Sequence, residues 1–226
     1  MMEEKILMIE TSTDCCSVAL SAGDRILASR IDETPRIQSA MLAPYIAQTL
    51  SEAGLSARDL DAVAVSRGPG SYTGLRVGVS TAKGICFGAG IPLIGVDTLQ
   101  VLALQASGRF DRIVPMIDAR RMEVYAAVYA PSGEALSGTE AVILDADSFR
   151  AELDAGPVCF IGTGAAKFRE VCSHPNACFQ PCSPLAASML QPAARALQKK
   201  EFEDVAYFEP FYLKEFVAGV SKRAVL

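Results

Sequence analysis

Short apolar runs alternate along the chain with longer stretches in which apolar residues return every three or four positions. Residues 6–10 and 17–21 read as strands joined by the polar bend Thr11-Ser12-Thr13-Asp14, and the turn Ala22-Gly23-Asp24 leads into a third strand at 25–31. Over residues 39–53, Met41, Leu42, Tyr45, Ile46, Leu50 and Ala53 repeat at the spacing of one helical face, with Gly54 suited to end the helix. Pro44 inside it must lie in the first turn or cause a kink. A strand at 62–66, a helix at 73–89, a strand at 92–96 and a helix at 97–106 complete the first half.

The second half repeats that order. Strands are expected at 113–118, 123–129 and 139–144, a helix at 147–153, a strand at 157–161, a helix at 165–172, a short strand at 177–180 and a helix at 184–199. The duplication is one of pattern, with no repeat at the level of residues. Three hairpin-linked strands followed by α-β-α describe a ribonuclease-H-like lobe, and two of them give an α/β chain of the actin/hexokinase-like (ASKHA) architecture. The division falls at 1–106 and 107–226, with 205–226 expected to pack back on the first lobe. A single doubly wound sheet is the alternative, and the hairpins opening each half weigh against it.

Composition narrows the chemistry. The 226 residues are 50% hydrophobic, enough for a substantial core, and no apolar run reaches the length of a membrane span. Met1-Met2-Glu3-Glu4-Lys5 is acidic and not a signal peptide, so a soluble, cytoplasmic protein is expected. The formal charge of −5, with basic residues in pairs such as Arg120-Arg121 and Lys199-Lys200 and in no long run, argues against tight RNA binding by this chain alone. The seven cysteines are scattered and read as reduced, mostly buried thiols; Cys172, His174, Cys178 and Cys182 could supply zinc ligands but lack paired C-x2-C spacing. His174 is the only histidine, which excludes H-E-x-x-H and any two-histidine metal site.

Two hairpin bends and two glycine turns are where a ligand would be held. The bends are Glu10-Thr11-Ser12-Thr13 and Asp118-Ala119-Arg120-Arg121; both carry carboxylates and neither has the glycine that close approach to phosphate requires. The loop from Ser66 to Gly78 follows a strand and opens a helix, where free N–H groups favour an anion; Gly74 and Gly78, four apart, equally suit close packing. Gly162-Thr163-Gly164 is a weaker strand–turn–helix signal. The candidate nucleotide or anion ligands are Thr11, Ser12, Gly68, Gly70, Ser71, Asp118, Gly162 and Gly164, beside the reading of ordinary polar turns and packing glycines.

Glu10-Thr11-Ser12, the Gly68-Pro69-Gly70-Ser71-Tyr72-Thr73-Gly74-Leu75-Arg76-Val77-Gly78 stretch with Ala82-Lys83-Gly84, Asp118-Ala119-Arg120 before Glu123-Val124-Tyr125, and Pro210-Phe211-Tyr212-Leu213-Lys214 together resemble the TsaB (YeaZ) family. The chain departs from the family pattern in Glu10 for Asp, Gln38 for His and Lys214 for Arg. The resemblance implies a non-catalytic scaffold that works with TsaD and the ATP-hydrolysing TsaE to place threonylcarbamoyl on N6 of the adenosine beside the tRNA anticodon. It implies contact with tRNA only through the complex, no intrinsic cofactor or metal, and ATP or ADP, if any, at the partner interface. It also implies a docking surface on the two long helices, used for TsaD and for a homodimer when the chain is alone. Those helices carry more apolar residues than one buried face needs, and the expected contact residues are Met41, Leu42, Tyr45, Ile46, Tyr72, Leu75, Arg76 and Val79. A stand-alone ATP-dependent phosphotransferase and a glycoprotease-like metalloenzyme are the alternatives.

Overall fold

The structure is a computed structural model that describes residues 3–213. The first half forms β1 (Lys5–Glu10), β2 (Cys16–Ala22), β3 (Arg25–Asp32), α1 (Gln38–Glu52), β4 (Ala62–Gly68), α2 (Tyr72–Ala89), β5 (Leu93–Asp97) and α3 (Thr98–Ala103). The second forms β6 (Arg112–Asp118), β7 (Glu123–Ala126), β8 (Glu140–Ile143), α4 (Arg150–Ala155), β9 (Val158–Ile161), α5 (Ala165–Val171), β10 (Ala177–Gln180) and α6 (Leu190–Lys199). The two five-stranded sheets have matching orders, β3-β2-β1-β4-β5 and β8-β7-β6-β9-β10. In each, the hairpin pairs are antiparallel and the last three strands run parallel. The hairpin reading of each half therefore holds, and the single doubly wound sheet does not.

Strand β1 is apolar without alternation because both its faces are covered. Leu7 and Ile9 face α1 and α2, packing with Leu42, Ile46 and Val79. Ile6 and Met8 face the other way, onto Val101, Ala186, Met189 and Ala193. The second sheet packs Phe160 and Phe168 edge to face with ring centroids 4.7 Å apart, and Phe149 and Phe179 close the cluster.

Four local expectations change. Strand β7 ends at Ala126, and Tyr129 makes isolated bridges to Ile113 and Ala135. Helix α4 starts at Arg150 because Asp145 and Ser148 close a hydrogen-bonded turn before it. Helix α6 starts at Leu190, after a 3₁₀ turn at Ala186–Met189. Pro44 sits in the second turn of α1 on the exposed side, so the helix continues past one missing N–H.

The return to the first sheet also begins earlier than residue 205. Ala186, Met189 and Ala193 are fully buried against the first sheet, and the Ala186 N–H donates to Ser17 Oγ at 2.9 Å. A strap from Glu201 to Leu213 then crosses α2. Glu203 N–H donates to Leu93 O at 2.9 Å, Lys83 Nζ reaches the carbonyls of Ala206 and Phe208 at 3.1 and 3.0 Å, and Phe211 N–H donates to Arg67 O at 2.6 Å. Residues 214–226 lie outside the described residues.

Candidate functional site

The first hairpin bend is clamped from two sides. Gln38, at the start of α1, donates its Nε2 to Thr13 O at 2.6 Å and Asp14 O at 3.2 Å. From α2, Ser71 N–H donates to Ser12 O at 2.6 Å, and Thr11 Oγ1 donates to Gly74 O at 2.8 Å. A Cβ at Gly70, Gly74 or Gly78 would overlap the Ser12 carbonyl, the Thr11 carbonyl or the Thr11 hydroxyl. These glycines bring the bend onto the helix, which decides their packing role. Gly68 has φ +115°, and a Cβ there would stand 2.5 Å from the Phe211 carbonyl oxygen of the strap.

Glu10 ends β1 beneath this bend and is fully buried. Its Oε1 accepts from the Ser12 N–H at 2.6 Å, while Oε2 and the nearby Ser12 and Ser66 hydroxyls lack well-aligned partners. Burial pushes its carboxyl up to about 7, against the opposing pull of the Ser12 and Ser66 hydroxyls and the Ser12 and Thr11 amides.

The second bend is built differently. Asp118 Oδ1 accepts from Arg120 N–H at 2.6 Å and from Lys167 Nζ at 2.6 Å, and the Thr163 hydroxyl accepts from the Asp118 N–H at 3.0 Å. Arg120 and Arg121 lie in the left-handed region with φ 72° and 49°. Gly162 and Gly164 press against Met116 and Val124 of β6 and β7, so they too serve packing.

Between the bends lies a cleft of about 780 Å³. Of the anion ligands expected from sequence, Ser12, Gly70, Ser71 and Asp118 line it, and Thr11, Gly68, Gly162 and Gly164 stand behind it. Glu10 does not line it, and the charge of Asp118 is balanced by Lys167. Arg120, Thr163 and Tyr212 also line the cleft, though none of them is among the ligands expected from sequence. Lys167 was visible one turn after Gly164 but carried no pairing signal. The mouth holds a cluster in which the Tyr72 and Tyr212 rings are 4.9 Å apart and Arg76 lies 4.1 Å over Tyr72.

The expected docking residues divide. Leu42, Ile46, Leu75 and Val79 are buried in the core of the first lobe, which corrects their assignment to a surface. A charge at Leu75 would therefore report on folding and not on docking. Met41 and Tyr45 are half-buried, and Tyr45 donates its hydroxyl to Asp32. Tyr72 and Arg76 are held by Tyr212 of the strap. The outward faces instead present Ala43 and Ala47 on α1, and Ser80, Gly84, Phe87 and Gly88 on α2. The Phe87 ring is 85% exposed. Its phase was readable: Leu75, Val79, Ala82 and Cys86 mark the inner stripe of α2, so Phe87 falls outside it.

The cysteine–histidine cluster does not assemble. His174 pairs through Nε2 with Asp154 at 3.3 Å, Cys172 packs with Phe168, and Cys182 lies against the core containing Cys159. Among the described residues, no three His, Cys, Asp or Glu side chains are grouped to hold a metal ion. All seven thiols are free, and burial pushes Cys15 and Cys159 up to about 12.

A family model described as "TsaD: tRNA N6-adenosine threonylcarbamoyltransferase" matches residues 32–225. The tRNA threonylcarbamoyladenosine biosynthesis protein TsaB of Escherichia coli K12 is 32% identical over 223 residues, covering 95% of this chain and 96% of the relative. The chain belongs to the TsaB family. Its fold agrees: the solved YeaZ of Pseudomonas aeruginosa superposes with a TM-score of 0.81 at 30% identity, over 93% of this chain and 100% of that one. A second description of that P. aeruginosa protein notes similarity to a peptidase. Component A of the Acidaminococcus fermentans (R)-2-hydroxyglutaryl-CoA dehydratase, at 12% identity and a TM-score of 0.51, shares the fold alone, over 88% of this chain and 99% of that one. Among the described residues, no helix of this TsaB-family chain is long and apolar enough to cross a membrane.

Proposed function

We propose that the chain is a non-catalytic subunit in threonylcarbamoyladenosine synthesis, docking on a TsaD-type transferase and acting with TsaE on tRNA that it meets only through the complex. The observation that carries this reading is the exposed Phe87 ring on α2, 85% accessible and flanked by Gly84 and Gly88, beside α1 with its outward Ala43 and Ala47. Small residues let a partner helix come close, and a lone exposed aromatic supplies the anchor that binding surfaces use. The cleft agrees with it: Glu10 is sealed beneath the bend, out of reach of a magnesium–nucleotide, and the charge of Asp118 is balanced by Lys167.

Phe87→Glu is expected to weaken association with the cognate TsaD by about 2 kcal/mol, or roughly 30-fold, with circular dichroism and melting temperature unchanged. Size-exclusion with light scattering reads this, and also whether the isolated chain pairs with itself through the same face. Undiminished complex formation by Phe87→Glu and by Ala47→Glu would remove this surface. Omitting each of the three proteins in turn from a tRNA modification assay tests the need for all of them.

The cleft favours one competing reading, a stand-alone phosphotransferase, because Ser71, Arg120 and Thr163 offer donors to an anion there. In the subunit reading, ATP or ADP is held at the interface with a partner, and calorimetry of the isolated chain with ATP and magnesium gives little heat. Stoichiometric binding would favour the competitor.

A further inference from the structure

We infer that a second pocket, between the β7–β8 connection and the C-terminal strap, binds a guanidinium or primary ammonium group carried on an alkyl stem. The pocket has a volume of about 870 Å³ and lies between Arg67 and Asp97 on one side, residues 135–139 on another, and the strap. It meets the interlobe cleft only at Phe211 and Tyr212 of the strap and lies apart from the outward faces of α1 and α2, so its fate does not follow that of the subunit reading.

The polar groups of this pocket are mostly spent or accepting. Among the described residues Arg67 is its one basic side chain, and its fork is occupied: Nε and an Nη bind the two Asp97 oxygens at 2.7 and 3.2 Å, and the other Nη stands 3.7 Å from Glu203. Two carboxylates thus share one guanidinium, and Glu209 adds a third negative charge to the lining. Glu209 also faces Arg76, but within the lining three carboxylates stand against one guanidinium, so the remaining capacity is for a donor, and a cationic one.

Tyr129 points to the same conclusion independently. The residue is 3% exposed, lines the pocket, and its hydroxyl has no hydrogen-bond partner among the described residues. The ring is buried while the hydroxyl is not sealed off, so it is open to the pocket, where a ligand or water can complete it. Burial, with Asp97 nearby, pushes its ionisation upward, so it stays neutral and offers a lone pair to an N–H donor. The walls are Tyr207, Phe208 and Phe211; Tyr207 is 84% exposed. Aromatic faces attract an organic cation and cover its stem, and would add little for a hydrated metal ion.

Titration of the full chain with agmatine, which carries both groups, tests the assignment by calorimetry at low salt. Saturable binding is expected with a Kd on the order of 1 mM, weakening as salt is added. Tyr129→Phe, which keeps the buried ring, is expected to weaken it about tenfold, since a hydrogen bond to a charged group is lost. Glu209→Gln, on an exposed strap position, should weaken it severalfold and leave the fold untouched. Failure to saturate at ten times the expected Kd, equal binding by neutral butylurea, or unchanged affinity in both variants would overturn the site. Tighter binding of agmatine than of N-acetyl-arginine amide would mark a free polyamine as the occupant; the reverse order would mark an arginine of a partner protein.

Discussion

Gly74→Ala is expected to destabilise the chain by about 3 kcal/mol, although alanine is the better helix former. A methyl group at this position runs into the Thr11 carbonyl, which is backbone and cannot swing aside. The bend would have to lift off α2, loosening the Thr11–Gly74 and Ser71–Ser12 hydrogen bonds at 2.8 and 2.6 Å. For a chain of this size the melting temperature should fall by about 6–12 °C. Gly84 and Gly88 lie on the same helix with nothing within 4 Å of a built Cβ. Alanine at either should raise the stability of the free chain by up to about 1 kcal/mol, because the helix loses a flexible residue and gains no clash. Thermal melts of the three variants decide the matter: a Gly74→Ala protein as stable as Gly84→Ala would mean that the glycine loop is not a packing seat.

The stability of the folded chain should fall as pH rises from 4.5 to 7, and Glu10→Gln should abolish most of that slope. Glu10 has an ordinary value of 4.5 in the unfolded chain and about 7 when folded. Between those values the folded form holds a proton that the unfolded form has released, so raising the pH favours unfolding. Below 4.5 the carboxyl is neutral in both states and costs nothing. Above 7 the full penalty is present, on the order of 3 kcal/mol, since each unit is worth about 1.4. A glutamine keeps the Oε1 acceptor for the Ser12 N–H and places an NH2 group near the Ser12 and Ser66 hydroxyls, which can accept from it. Urea unfolding at pH 5 and pH 8 measures the effect. Parallel stability curves for wild type and Glu10→Gln would show that the carboxylate is charged and satisfied at neutral pH.

How far the sequence reading reached depended on the range of each interaction. The sheets were legible because a strand buried on both faces, such as β1, and a helix with its apolar stripe, such as α2, write their environment into nearest neighbours. The stripe Leu75, Val79, Ala82 and Cys86 also carried the answer to which residues were core; the excess of apolar positions drew Leu75 and Val79 to the surface by mistake. The bends were legible as bends. Their chemistry was not, since whether a carboxylate faces a ligand depends on what packs over it. Lys167 reaches Asp118 across 49 positions, and Gly74 meets Thr11 across 63.

The sequence by itself determined the paired β-β-β-α-β-α-β architecture, most of the thiols as small buried groups, and the family. These follow from periodicities and motifs whose residues lie close together in the chain. Only the tertiary structure decided that Glu10 is sealed under its bend and that α6 and the strap belong with the first sheet. Each of those depends on distant segments meeting, and burial belongs to the assembled surface, so no local pattern carries it.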